Sequence, residues 1–135
     1  MIYLDSCVPI YAALDHGAAG RWCRDILSRI EEGEDSAVTS ALTLDEFTYK
    51  VRKEEGAEAS VEAGRMLLGI RNLRFISVDQ EVLWKSLELV EKLGLYLRDS
   101  IHAATALLQG ATTVIAEDKD FDVLPGISRK WRSKI

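Results

Sequence analysis

Ile2-Tyr3-Leu4-Asp5-Ser6 is the stretch that indicates the fold, because it places three apolar residues directly before an acidic one. A short apolar run of this kind is typical of a buried strand. Similar runs predict strands at residues 37–39, 74–78 and 112–116, and an edge strand beginning at residue 127. Longer amphipathic stretches predict helices at residues 18–32, 44–54, 58–70 and 99–109, and one between the cap Asp79 and Gly94. Strands that alternate with helices predict an α/β fold built on a parallel, doubly wound sheet.

Size and composition indicate one domain that spans residues 1–135. The chain is 47% hydrophobic and 29% charged, which suffices for a buried core. Its longest run without Asp, Glu, Lys or Arg, residues 100–116, is too short and too polar to span a bilayer, and the first residues lack the basic region of a signal peptide. We therefore expect a cytoplasmic protein with no membrane partner, whose Cys7 and Cys23 are reduced thiols.

The charge of the chain is acidic overall but unevenly distributed. The 17 Lys and Arg against 22 Asp and Glu give a net charge of -5, which argues against a general nucleic-acid binder. Residues 128–135, however, carry four basic side chains and no acidic one. An RNA substrate is therefore compatible with the composition.

Acidic residues occupy the positions where a sheet of this class binds ligands. Such sites lie outside the carboxyl ends of the strands, where Asp5 and Asp118 stand, while Glu46 and Asp99 begin predicted helices. Asp5, Glu46 and Asp99 each also have a purely structural interpretation. Asp5 and Asp99 could cap helices, and Glu46 could complete a capping box with Thr43.

The cluster Asp118, Asp120 and Asp122 is harder to explain structurally. It does not form a calcium-binding EF-hand loop, because Val123 and Arg129 stand where Gly and Glu are needed. Three acids so close together repel one another unless a cation offsets their charge. Carboxylates without Cys or His select hard cations such as Mg²⁺ or Mn²⁺, so a metal-dependent nuclease is the leading hypothesis.

Four segments resemble, in order and spacing, the acidic motifs of the PIN-domain ribonucleases. They are YLDS (3–6), TSALTLDE (39–46), RDSIHAA (98–104) and VIAEDKDF (114–121). The resemblance covers nearly the whole chain, and the size resembles that of the VapC-type toxins of prokaryotic toxin–antitoxin pairs. One departure is Ala116, where the family often has Thr or Ser.

The resemblance implies a single PIN-like domain with a sheet ordered 3-2-1-4-5 and a site that holds Mg²⁺ or Mn²⁺. The implied site residues are the catalytic acids Asp5, Glu46, Asp99 and Asp118, of which Asp5, Asp99 and Asp118 bind metal, with Ser6 and Asp120 as auxiliary residues. The implied reaction is hydrolysis of RNA phosphodiester bonds by a metal-activated water. Arg98, Lys130 and Arg132 are the candidates for contacts with RNA.

The same resemblance implies two protein partners. One is a second copy of the chain, in a homodimer whose two acidic sites open toward one groove. The other is a cognate antitoxin, which would lie across the groove between the helices that follow Ala18 and Thr43. It would insert an Arg or Lys toward the acids.

His102 and the aromatic residues are assigned to the core. His102 lies one turn after Asp99 and could act as a base, but its helix is otherwise core-like and a metal can itself activate water. Trp22, Trp84 and Tyr96 are likewise interpreted as core residues, and only Trp131, between two basic residues, has a setting suited to RNA.

Three alternatives stay open at this point. The chain could be a stand-alone PIN-domain RNA-processing nuclease, or a PIN-fold interaction module without catalysis. A phospho-acceptor signalling domain also has an acidic Mg²⁺ pocket, but it wants a second acid where Ser6 stands, and Lys119 is only loosely placed for its lysine.

Overall fold

Five short strands form one parallel sheet in the computed structural model, which describes residues 1–132. The strands are β1 (Ile2–Leu4), β2 (Ala37–Ser40), β3 (Leu73–Ile76), β4 (Thr113–Ile115) and β5 (Ser128–Lys130). Their order is β3-β2-β1-β4-β5, and every neighbouring pair is parallel. The predicted α/β class and sheet order are confirmed. A phospho-acceptor domain has the order 2-1-3-4-5, so the sheet excludes that alternative.

Six helices and one 3₁₀ turn connect the strands within the described residues. They are α1 (Cys7–Leu14), α2 (Ala18–Glu31), α3 (Ala41–Glu55), α4 (Ala57–Leu68), α5 (Gln80–Leu93), α6 (Leu97–Leu108) and the 3₁₀ turn η1 (Lys119–Val123). Between residues 1 and 132, none of the helices has the length and apolar character needed to cross a membrane.

The sheet separates two hydrophobic clusters, as a doubly wound fold requires. Tyr3 and Val114 point into the cluster with α5 and α6, whereas their neighbours Leu4 and Ile115 point into the cluster with α1 to α4. Successive residues of a strand face opposite sides. Because both sides are covered, the central strands β2, β1 and β4 are buried or half-buried at every position rather than at alternate ones.

Helix ends follow the sequence signals in one case and depart from them in another. Asp79 caps α5 by accepting a hydrogen bond from the Val82 N–H at 2.9 Å, and Gly94 ends it in the left-handed conformation, as predicted. Helix α3 begins earlier than predicted, because Ser40 accepts from the Leu42 N–H and acts as its cap. The capping-box interpretation of Glu46 is therefore wrong.

Helix α6 also begins before its predicted start. Tyr96 occupies the cap position, so Asp99 lies inside the first turn and does not cap the helix. Its carboxylate is then available for other contacts, and an acidic side chain in the first turn is favoured by the helix dipole.

Candidate metal centre and active site

Strands β1 and β4 bring the two strand-end acids to the same edge of the sheet. Leu4 pairs with Ile115, and the Asp5 N–H donates a hydrogen bond to the Ile115 carbonyl oxygen at 3.1 Å. Asp118 follows β4 three residues later. The chain therefore leaves both strands at one point, the place where doubly wound sheets bind ligands.

Three carboxylates form a cluster at this edge. Asp99, Asp118 and Asp120 each offer an oxygen, and these oxygens lie within 4.8 Å of one another. Asp99 comes from the first turn of α6, and Asp118 caps η1 by accepting from the Asp120 N–H at 2.8 Å. The geometry thus groups Asp120, which sequence reasoning treats as auxiliary, with two predicted metal ligands.

Asp5 lies beside this cluster in a more buried position. Its side chain is 13% exposed, its Oδ1 is 3.9 Å from Nε2 of His102, and its Oδ2 is 3.5 Å from the Cys7 backbone nitrogen. Burial raises the pKa of Asp5, and the nearby His102 ring opposes that shift. A positively charged neighbour would therefore stabilise the ionised form of Asp5.

Asp99 is affected by the mutual repulsion of these acids. Its pKa is raised, first by burial and then by the negative charges of Asp118, Asp5 and Asp120. A divalent cation bound between these oxygens would remove that repulsion, and an all-oxygen donor set suits Mg²⁺ or Mn²⁺. The residues therefore fit the metal that the resemblance implies.

Glu46 approaches the same edge from α3, and its partner is His102. Oε1 of Glu46 lies 2.5 Å from Nε2 of His102, whose side chain is only 1% exposed. The interpretation of His102 as a buried residue is correct. Sequence reasoning missed the hydrogen bond of His102 to Glu46. The position of His102 one turn after Asp99 was the signal that it lies near the site.

A cavity of about 430 Å³ opens beside Glu46. Ser6 and Arg98 line it, as sequence reasoning expected of site residues, and Tyr49 and Lys50 of α3 also line it. Tyr49 is 62% exposed. Sequence reasoning missed both α3 residues, whose positions three and four after Glu46 put them on its helical face.

The predicted basic contacts at the end of the described chain are separate from this cavity. Lys130 is exposed on β5 and Arg132 is half-buried just after it. Trp131, the aromatic residue predicted to suit RNA, instead packs edge-on against Trp22, with ring centroids 5.1 Å apart, and also against Tyr11. Lys134, part of the basic tail, lies outside the described residues.

Two aromatic residues that were assigned to the core are on the surface. Trp84 is 69% exposed and Tyr96 is 82% exposed, so the prediction was wrong for both. Trp84 lies on α5 with Leu83 and Leu87, which are 42% and 55% exposed. The apolar residues of α5 therefore exceed what its contact with the core uses.

A family model of the PIN domain matches residues 2–127, so the chain belongs to the PIN domain family. It is 28% identical over 123 residues to Ribonuclease VapC7 of Mycobacterium tuberculosis (strain ATCC 25618 / H37Rv), covering 90% of this chain and 84% of that protein. The resemblance inferred from the acidic motifs is confirmed.

Solved structures share the fold at lower sequence identity. Mycobacterium tuberculosis VapC20, a Sarcin-Ricin loop cleaving toxin, superposes with a TM-score of 0.76 at 16% identity, over 94% of this chain and 98% of that one. VapBC2 from Rickettsia felis, bound to a DNA fragment from their promoter, gives 0.72 at 22% identity, with 97% and 98% covered. A toxin-antitoxin complex from Klebsiella pneumoniae gives 0.68 at 22% identity, with 94% and 95% covered.

Proposed function

We propose that this protein is an endoribonuclease that uses Mg²⁺ or Mn²⁺ and serves as the toxin of a toxin–antitoxin pair. The observation that carries the proposal is the convergence of Asp99, Asp118 and Asp120 beside Asp5 at the carboxyl edge of a PIN-domain sheet. Its similarity to a protein named as a ribonuclease supports the same reaction.

The carboxylates of the site have different proposed roles. Asp99 and Asp118 would hold the metal together with Asp5, and Asp120 would complete the set or bind a metal-bound water. The metal, when bound, would lower the pKa of a water molecule and offset charge on the scissile phosphate. Glu46 faces the cavity as a hydrogen-bond acceptor that orients the attacking water, and cleavage leaves a 5′-phosphate.

The cavity beside Glu46 is suited to the nucleotide next to the scissile bond. Arg98 and Lys50 supply positive charge for a flanking phosphate, and the exposed ring of Tyr49 offers a face for base stacking. Lys130, at the end of β5, and Arg132 would extend the phosphate contacts along the same edge.

Cleavage of single-stranded RNA tests the reaction directly. The purified chain should cut a labelled RNA in Mn²⁺ or Mg²⁺ and should stop in EDTA. Asp99→Asn should lose cleavage, whereas Asp35→Asn should keep it, because Asp35 precedes β2 at the opposite edge of the sheet. Undiminished cleavage by the Asp99 variant, or cleavage in EDTA, would contradict the proposed site.

An apolar cavity supports the proposal of an antitoxin partner. It has a volume of about 370 Å³ and receives one or more residues from each of α1 to α4, including Pro9, Leu27, Phe47 and Met66. Met66 is 70% exposed. Its position between these helices supports a partner that lies across the groove between α2 and α3, and one of the similar solved structures is a toxin-antitoxin complex.

The product of a neighbouring gene, if small, is the partner to test. Co-expression should yield a stable complex in which RNA cleavage is suppressed. Met66→Glu should weaken that complex, and Val61→Glu, at a position on α4 that is 52% exposed and lies outside the cavity, should not. If Met66→Glu leaves the stability of the complex unchanged, the partner binds elsewhere. Active enzyme with no partner would favour a stand-alone RNA-processing role.

The exposed apolar residues of α5 support a homodimer. Leu83, Trp84 and Leu87 form a continuous stripe, because Leu87 lies four residues after Leu83 and three after Trp84 on one helix. Exposed apolar stripes of this kind are typical of protein interfaces.

A further inference from the structure

A buried chain of hydrogen bonds runs from the centre of the sheet to the candidate active site. The Tyr3 hydroxyl lies 2.6 Å from Nδ1 of His102, and Nε2 of His102 lies 2.5 Å from Oε1 of Glu46. The side chains of Tyr3 and His102 are 0% and 1% exposed. Both distances lie within hydrogen-bond reach, slightly below the usual range for bonds that involve a nitrogen.

The direction of these bonds follows from the groups involved. The Glu46 carboxylate only accepts, so the Nε2–H of His102 must donate to it, whether the ring is neutral or protonated. In the neutral ring Nδ1 carries a lone pair, and the Tyr3 hydroxyl then donates to Nδ1. Glu46 thus selects the tautomer that places the ring proton on Nε2, and the Tyr3 hydroxyl satisfies the Nδ1 lone pair of that tautomer.

The ring serves Glu46 rather than Asp5. Its distance to Oδ1 of Asp5 is 3.9 Å, which is too long for a hydrogen bond, whereas the distance to Glu46 is 2.5 Å. Asp99, one turn earlier on α6, adds negative charge on the same side. Among the described residues, Oε2 of Glu46 has no hydrogen-bond partner, so this oxygen stays available for water.

Packing alone does not account for His102. Its neighbours on α6 include Ala103 and Ala104, which are fully buried, and an apolar residue would fill the same place without the cost of burying a polar ring. The helix that carries Glu46 is braced in a similar way one turn earlier. Thr43 bonds to Thr39 at 2.6 Å, and Thr39 donates to the Leu4 carbonyl oxygen at 2.7 Å.

We propose that Tyr3 and His102 are positioning residues, which hold one oxygen of Glu46 and thereby present the other to the attacking water. The inference rests on the proposed nuclease function. It assigns no proton transfer to His102, which acts only by orienting Glu46. Residues that orient an acid in this way typically change activity by about 10- to 100-fold when they are removed.

Two substitutions at position 102 separate positioning from packing. His102→Leu fills the volume but cannot donate, whereas His102→Gln can direct its amide N–H toward Glu46. We expect kcat to fall about 10- to 100-fold in the Leu variant and clearly less in the Gln variant, with KM little changed. Tyr3→Phe, which removes only the hydroxyl, should lower kcat about 2- to 10-fold. A Leu variant at least as active as the Gln variant would overturn the proposal.

A double-mutant cycle tests whether His102 acts through Glu46. In the Glu46→Ala background, His102→Leu should cause little further loss of cleavage, because the residue that it orients is gone. If the loss of activity in the double variant instead equals the product of the two single losses, His102 acts independently of Glu46 and the proposal is refuted. Thermal melting of each variant shows that the compared proteins are folded.

Nitrogen-15 NMR of the imidazole gives a readout that does not depend on cleavage. The wild-type ring should carry a proton on Nε2, and the resonance of that proton should lie strongly downfield because of its hydrogen bond to Glu46. The same proton resonance should move upfield in Glu46→Ala, where this bond is lost. A bare Nε2 in the wild type would overturn the inference even if the enzyme is active. Conversely, an inactive wild-type chain with the expected resonance would refute the proposed function and leave the hydrogen-bond chain intact.

Discussion

Replacing Asp99 with Asn should make the metal-free protein more stable and remove its response to metal. An Asp99 oxygen lies within 4.8 Å of oxygens of Asp118 and Asp120. At that distance each like-charge pair costs about 0.9 kcal/mol in a water-like dielectric, which suits the exposed Asp118 and Asp120. Asn removes two such pairs but gives up about 0.5 kcal/mol of favourable interaction with the α6 dipole. We therefore expect a gain of about 1 kcal/mol.

Thermal unfolding in EDTA at low ionic strength measures this gain. A change of about 1 kcal/mol corresponds to an increase in Tm of roughly 3–6 °C for a domain of this size. Asp35→Asn, which makes the same change in net charge at the other edge of the sheet, should shift Tm far less. Salt should shrink the gain, because it screens exposed charges.

Addition of Mn²⁺ should reverse the order of stability. At about 100 times its Kd, a ligand that binds only the folded state stabilises it by about 2.7 kcal/mol, so the wild type should overtake Asp99→Asn. Lower stability of the Asn variant in EDTA, or no response of the wild type to Mn²⁺, would refute the reasoning about the cluster.

Three further predictions concern the rest of the molecule. Burial raises the pKa of Asp5. As the pH falls, this carboxyl therefore takes up its proton at a higher pH in the folded metal-free protein than in the unfolded chain. Its contribution to stability should therefore rise as the pH falls from 7 toward 3.8, and Asp5→Asn should flatten that part of a urea-derived stability profile. Gly20→Ala should cost about 3 kcal/mol in urea unfolding, because a Cβ there would lie 2.0 Å from a backbone carbonyl oxygen; an unchanged midpoint would contradict this. Trp84→Glu should convert a dimer into a monomer in light scattering while Val61→Glu does not, and a wild type that is monomeric at micromolar concentration would contradict the proposed interface.

The sheet and the strand-end acids could be predicted from the sequence because both depend on local pattern. Short apolar runs ending in an acid predict the strands, and parallel strands bring their carboxyl ends to one edge. Asp5 and Asp118 follow from that rule alone. Asp120 does not, because its approach to Asp99 depends on the 3₁₀ path of η1, which three closely spaced acids do not specify.

Contacts between distant elements were beyond local reasoning. The bond between Glu46 and His102 depends on how α3 and α6 are rotated over the same strand end, and residues 56 positions apart give no periodic signal of it. The cap at Ser40 was missed for another reason. Thr43 with Glu46 matches a capping box, but the buried hydroxyl of Thr43 bonds to Thr39 instead.

The central place of β1 in the sheet makes the active site depend on a late part of the chain. Strand β1 is made first, yet its second neighbour in the sheet, β4, begins only at Thr113. A nascent chain that has not reached Asp118 therefore carries Asp5 and Glu46 without the metal cluster. Helices α1 to α4, which the proposed partner would cover, are already complete at Leu68. Because a domain folds as a unit, the site is complete only once β4 and Asp118 have been made, whereas the residues of the proposed partner groove are present earlier.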